Sequence, residues 1–229
     1  MKTKISYERW KEAQEYERKY WEVAKIDSIY YLGIAKRMKE ELKEFVLLND
    51  SSNIVQIGCG PEDAIHNWKN GNLFAVDPQM DNYKEMGILK ESNAKNICAV
   101  GESLPFKTNY FDLIIINNVL DHCQNPKKVL HESYRCLKKN GILYTETNVR
   151  PRYLYSFLKI IWWTKISTTR GHPFLFLPKN LGNMIKSCKF KILLNKSNKQ
   201  KFKLSYFKNL RAIVEYIIEY QFLFICKKN

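Results

Sequence analysis

The chain has 229 residues, with 38 Lys and Arg against 23 Asp and Glu, a formal net charge of +15, and 45% hydrophobic residues. This composition excludes a wholly disordered chain, and the length is ample for one substantial core. Six scattered cysteines (Cys59, Cys98, Cys123, Cys136, Cys188, Cys226) include no close pair, which excludes a zinc ribbon or dense disulfide framework and reads as a reduced, intracellular protein.

The polar opening Met1–Trp10 predicts no signal peptide, and the absence of a run of about 18 apolar residues predicts no membrane span. Residues 6–25 carry Trp10, Ala13, Glu17, Trp21 and Ala24 at helical spacing. A second helix is expected from Ser28 to Phe45, before the turn cluster Asn49–Ser52. The period then changes. Five short, β-branched-rich runs follow at Asn53–Ile57, Leu73–Val76, Asn96–Val100, Asp112–Ile116 and Ile142–Thr145, continuous as in strands buried on both faces. Between them Asn125–Leu137 reads as a helix, with Asn125 as cap, Pro126 in the first turn and Gly141 soon after its end. The link Gly101–Tyr110 is near the minimum for a crossover, so only a short helix is expected there. Alternating strands and helices imply a parallel sheet with right-handed crossovers. Beyond Asn148 the reading is a helix at Pro178–Ser187, a strand at Phe190–Leu194, a basic loop at Asn195–Lys203, a helix at Leu210–Tyr220 and a last strand at Phe222–Cys226.

The charge is uneven. Residues 1–149 balance 21 basic against 21 acidic residues, whereas residues 150–229 hold 17 basic residues and only Glu215 and Glu219. An anionic partner near that part is one reading, whether membrane surface, nucleic acid or acidic substrate; a solvated basic face is the other.

The chemistry-bearing motif is Ile54-Val55-Gln56-Ile57-Gly58-Cys59-Gly60-Pro61, a strand entering a glycine turn that is expected to lead into a helix. Glycines let a backbone approach a ligand closely. About 20 residues on, Leu73–Asp77 is a second strand ending in a carboxylate, placed to accept both hydroxyls of a ribose. A dinucleotide fingerprint is disfavoured, because Asp63 stands at the third glycine position, and no Gly-Lys-Ser/Thr follows for a phosphate loop.

The sequence resembles class I S-adenosylmethionine-dependent methyltransferases of the small-molecule, type 11-like group. The blocks Gln56–Pro61, Val76-Asp77-Pro78, Glu102–Phe106 with Phe111-Asp112, Asn117–His122 and Leu137–Leu143 carry the resemblance, over roughly residues 50–148. It implies an α/β Rossmann-like fold: a seven-stranded, mostly parallel sheet with helices on both faces and the last strand antiparallel. It implies S-adenosylmethionine as cofactor and S-adenosylhomocysteine as product. Gln56, Gly58, Cys59 and Gly60 would lie at the methionine part, Asp77 and Pro78 at the ribose, Gly101, Glu102 and Ser103 at the adenine, and Asn117 and Asn118 at the methionine end and the transferable methyl. Gln56 departs from the family's usual acid, Glu62 stands where a third glycine is common, and Val100 replaces a frequent polar residue. The division expected is one domain: helical cap 1–48, cofactor-binding core 49–148, inserted acceptor or lid segment 149–177, and closing helices and strands 178–229.

Transfer of a methyl to a hydroxyl needs alignment and a proton acceptor. His122, just past the fourth strand, and His172, in Arg170-Gly171-His172-Pro173, are the candidate bases; Asp121 either orients His122 or caps the turn. His66 and His131 are expected on helix surfaces, Cys59 is expected to be a small turn residue, and no metal-ligand set is read. The first helix, Tyr7 to Trp21, is expected to close over the cofactor cleft, anchored by Trp10, Tyr20 and Trp21, or else to pack on the sheet edge. Arg150–Arg170 combines Tyr153, Tyr155, Phe157, Trp162 and Trp163 with basic flanks. Three readings stay open for it: a membrane-interface or lipid-substrate surface, a lid or dimer contact, and a packed helix. The expected acceptor is a saccharide, lipid-linked or other small molecule, methylated on oxygen. The expected location is cytoplasmic or peripheral at the inner membrane surface. RNA ranks lower, because the aromatics form one apolar block and do not interleave with a basic stripe. An inactive scaffold acting as a partner protein is the remaining alternative.

Overall fold

The Ser6 hydroxyl accepts from the Arg9 N–H and starts α1, Tyr7–Val23; the Asp27 carboxylate accepts from Ile29 and Tyr30 N–H and starts α2, Ser28–Leu42. The computed structural model describes residues 3–149, 171–198 and 220–229. Seven strands follow in one sheet: β1 Asn53–Ile57, β2 Asn72–Asp77, β3 Lys95–Cys98, β4 Phe111–Asn117, β5 Leu137–Val149, β6 Phe190–Asn198 and β7 Tyr220–Lys228. Their spatial order is β3-β2-β1-β4-β5-β7-β6. β1 to β5 run parallel, and β7 is antiparallel to both β5 and β6. The helices α3 Met80–Glu85, α4 Pro126–Cys136 and α5 Pro178–Ser187 complete the described elements.

Both faces of the sheet are covered, which is why the central strands read as continuous apolar runs. In β4, Ile114 and Ile116 join the core that includes Val129 and Leu130 of α4 and Leu181 and Ile185 of α5. Leu113 and Ile115 point the other way, to Ile34, Ala35, Met38 and Leu42 of α2. Strand β1 splits likewise, Val55 and Ile57 to the first core and Ile54 to the second. The order reverses between β1 and β4, so the carboxyl ends of these strands frame the crevice where α/β sheets take ligands.

Several expectations need correction. The glycine turn leads only into a 3-10 turn, Ala64–Asn67, not an α-helix. The link to β2 is short, and the Asp63 and Gln56 side chains hold its N–H groups at Ala64 and Ile65. No helix forms between Gly101 and Tyr110. The Arg135 guanidinium pins that link by donating to the carbonyls of Leu104 and Phe106. Residues 195–198 are not loop but the end of β6, paired with β7 as far as Asn198 and Gln221. β6 is an edge strand whose Lys191 and Lys196 are exposed, the placement that discourages further strand pairing. β3 stops at Cys98, and α2 stops at Leu42. Tyr220 opens β7 rather than ending a helix; the rest of that expected helix, and the segment Arg150–Arg170, lie outside the described residues. No helix among the described residues is long and apolar enough to cross a membrane.

Candidate functional site

The carboxyl ends of β1 and β2 meet through backbone geometry that favours glycine. Gly58 and Gly60 take φ of +67° and +58°, and a Cβ on Gly58 would collide with Val119. The N–H groups of Gly58 and Cys59 donate to the Val76 carbonyl at 2.7 and 3.3 Å. Asp77, at the end of β2, closes the turn: Oδ2 accepts from Gly60 N–H at 2.9 Å and Oδ1 from Gln79 N–H at 2.8 Å. Burial pushes its carboxyl above the ordinary range against these donors. The Cys59 thiol is pushed well up, first by burial and then by the Asp77 and Asp63 carboxylates, so it is inert.

Beside this turn lies a polar knot. Gln56 Nε2 donates to Asp63 Oδ2 at 2.7 Å, and Gln56 Oε1 accepts from Ile65 N–H at 3.0 Å. Asn117 Nδ2 donates to the same carboxylate at 3.0 Å. Burial raises Asp63 to about 6 despite its donors at Asn117, Ala64 N–H and Gln56. The amide of Gln56 is therefore spent within the protein, and a negative charge absent from position 56 is present at Asp63. The Oδ1 atoms of Asn117 and Asn118 are buried without a hydrogen-bond partner. An orphaned acceptor on Asn117, whose amide also touches the buried Asp63 carboxylate, suits an ammonium donor such as the amino group of a methionine moiety, so these residues fit the implied cofactor.

The expected adenine border fares differently. A Cβ on Gly101 would come within 2.9 Å of Ile57, so this glycine serves packing under β1. Glu102 is buried and its Oε1 accepts from Asn125 N–H at 2.9 Å, fixing the entry to α4. Ser103 is exposed and Pro78 half-buried.

Past β4 the two candidate bases come together from 50 residues apart in sequence. Asp121 Oδ2 lies 2.8 Å from His172 Nδ1 and 3.8 Å from His122 Nε2, and the two imidazoles are 4.3 Å apart. Thr147 of β5 donates to Asp121 Oδ1 at 3.1 Å. His122 Nδ1 lies 3.3 Å from Glu17 Oε1 on α1. Burial alone would lower the His122 pKa, but Asp121, Glu17 and the Gly171 carbonyl overcome it and raise it to about 9. Asp121 is held well below the usual carboxylate range: its burial is outweighed by the two histidines. His122 is thus an imidazolium at neutral pH, locked between carboxylates.

Helix α1 spans both regions. Trp21 stands 3.7 Å from where a Cβ of Gly60 would be, Gln14 accepts from Gln79 Nε2 at 3.0 Å, and Glu17 reaches His122. Tyr20 is 54% exposed and anchors nothing in the core. His66 is not a surface residue. It is buried, its Nδ1 accepts from Asp63 N–H, and burial pushes it down to about 4. Glu17 and Asp63 are the residues whose role sequence reasoning missed. Asp63 lies close enough behind the glycine turn to be noticed, and only the fold reveals its partners Gln56 and Asn117.

Comparison with known proteins agrees with this architecture. Residues 55–145 match the family model described as a methyltransferase domain, Methyltransf_11. The seven-stranded sheet around that match has the Rossmann-like methyltransferase fold. It is 39% identical over 85 residues to the uncharacterized protein MJ1123 of Methanocaldococcus jannaschii, covering 37% of this chain and 42% of that one. It is 36% identical over 76 residues to the mitochondrial 2-methoxy-6-polyprenyl-1,4-benzoquinol methylase of Caenorhabditis elegans, covering 30% and 27%. The chain thus spans less than half the length of these relatives. A solved geranyl diphosphate C-methyltransferase from Streptomyces coelicolor superposes with a TM-score of 0.63 at 14% identity, over 85% of this chain and 79% of that one.

Proposed function

We propose that the protein transfers the methyl group of S-adenosylmethionine to a hydroxyl of a small molecule, a saccharide or lipid-linked acceptor. The observation that carries this reading is the arrangement along one sheet edge. The glycine turn and Asp77 lie at the ends of β1 and β2, and the Asp121–His172 pair lies just past β4. The relative named for a polyprenyl benzoquinol supports the lipid-linked class.

The bound cofactor supplies a methyl already activated on a sulfonium. Asp77 would hold the ribose hydroxyls with the lone pairs left over from Gly60, Gln79 and the Tyr83 hydroxyl. Asp63, with the Oδ1 atom of Asn117, would hold the ammonium. His172 would take the acceptor's proton on Nε2, its Nδ1–H donating to Asp121 Oδ2, which fixes ring and tautomer. The acceptor oxygen, relieved of its proton by His172, would be the nucleophile toward that methyl. His122, already protonated, would orient Asp121 and tie α1 over the site through Glu17.

The test is methyl transfer from labelled S-adenosylmethionine to a panel of sugars, nucleotide sugars and prenylated phenols. Product from one hydroxyl class, lost in His172→Ala, is expected. Product only from RNA would overturn the acceptor class. No turnover of any acceptor, with cofactor binding intact, would favour the scaffold role.

A further inference from the structure

The cluster past β4 holds more than a base needs. Asp121, His122 and His172 each present one potential ligand atom, and these atoms lie within 4.8 Å of one another. A tetrahedral or octahedral ion keeps such atoms roughly 3–3.5 Å apart, so the side chains need move by only about 1 Å or so. The donor set is two imidazole nitrogens and one carboxylate oxygen, which suits Zn2+, Fe2+ or Mn2+ and is a poor match for Mg2+ or Ca2+.

The surroundings match a metal centre independently of the ligands. Metal-bound histidines generally donate their second ring nitrogen to a carboxylate or carbonyl, and metal-bound carboxylates are themselves hydrogen-bonded. His122 directs Nε2 toward Asp121 while Nδ1 faces Glu17 Oε1 at 3.3 Å. Asp121 directs Oδ2 toward both histidines while Oδ1 accepts from Thr147 at 3.1 Å. Each outer partner comes from a different element, α1 for Glu17 and β5 for Thr147. The carboxylate is buried, whereas the two rings are 16% and 28% exposed on their side chains, which leaves a path for an ion and an open position on it.

We propose that Asp121, His122 and His172 bind one divalent transition-metal ion, with Glu17 and Thr147 as outer supports and the open position directed to an oxygen of the acceptor. The link to the acceptor rests on the methyltransferase reading; the metal site itself does not. The ion and the hydrogen bond between His172 and Asp121 use the same lone pairs. A loaded protein therefore holds the acceptor oxygen on the ion, and base catalysis by His172 belongs to the metal-free protein.

The experiment is calorimetric titration of Zn2+ into chelator-treated full chain, with Co2+ absorption spectra in parallel. The expected result is one ion per chain and a Co2+ spectrum of a nitrogen- and oxygen-ligated site. His122→Ala and His172→Ala each weaken Zn2+ binding by about 100-fold or more, and Glu17→Gln by about 10-fold or more. S-adenosylhomocysteine binding, measured on the same variants, reports whether they fold. His172→Ala, at the most exposed ligand, covers the case in which Asp121 or His122 variants do not. Zn2+ binding that is absent, or that survives both histidine variants unchanged, overturns the metal site. Metal binding without any S-adenosylhomocysteine binding keeps the site and removes the methyltransferase reading.

Discussion

The two ends of the site are built in opposite ways. At the β1–β2 end, polar groups are buried and bonded to one another or to backbone close by in sequence: Gly58 and Cys59 to Val76, Gly60 to Asp77, Gln56 to Asp63. Past β4, charged groups come from α1, the segment after β4 and the segment before α5, and all but the buried Asp121 stay partly exposed. The first end is a rigid cradle whose shape depends on backbone. The second is a cluster of titratable groups whose geometry depends on remote segments meeting. A binding site for one fixed cofactor calls for the former, and a reacting centre facing a variable acceptor calls for the latter.

Substitutions can break this contrast. The largest effect is expected from Gly58→Ala. It combines a left-handed φ with a Cβ driven into Val119, and should cost about 2–4 kcal/mol and remove cofactor binding. Gly60→Ala meets only Trp21, and should cost about 1 kcal/mol. Thermal unfolding of both variants checks the difference; equal losses would mean that the turn, not the Val119 contact, sets the cost. On the acceptor side, His172→Ala should lower kcat in the metal-free protein by about 100-fold or more while leaving S-adenosylhomocysteine affinity within a factor of two or so. Rapid-quench assays and calorimetry on one preparation separate these outcomes.

A modest effect is a pH slope. His122 titrates near 9 in the folded chain, against about 6.5 when unfolded. A raised pKa stabilises fully below about 6.5, and the contribution disappears as pH rises through 9. The stability of the metal-free protein should fall by about 1–2 kcal/mol across that window, less than the full shift because the ring is partly exposed. Denaturant titrations of Glu17→Gln should show a flatter slope. A slope unchanged in that variant would mean that Glu17 does not hold the proton on His122.

The same contrast explains what the sequence could reveal. The five parallel strands are legible because the strands at the centre of the sheet feed both cores and so read as unbroken apolar runs; Asn125 and Pro126 announce α4. Gly58, Gly60 and Asp77 are legible because the cradle is local, two strands and a turn. His122 and His172 stand out only singly. Their meeting on Asp121 comes from tertiary packing, as does the reach of Glu17 from α1, and no local spacing encodes it. The 3-10 turn after β1 is not legible because glycines mark a turn without fixing the element beyond it; Asp63 and Gln56 decide that through hydrogen bonds spanning seven and nine residues. Part of the basic excess after residue 150 finds a plain role on β6, where exposed lysines line a sheet edge.

The central claim is that the β1–β2 cradle binds S-adenosylmethionine through Asp77. Its most direct test is calorimetric titration of S-adenosylhomocysteine into the wild-type chain and into Asp77→Ala. The expected result is one ligand per wild-type chain and an affinity loss of about 100-fold in the variant, the worth of two hydrogen bonds to a charged acceptor. Absence of binding heat at millimolar ligand, or binding that Asp77→Ala leaves unchanged, would contradict it.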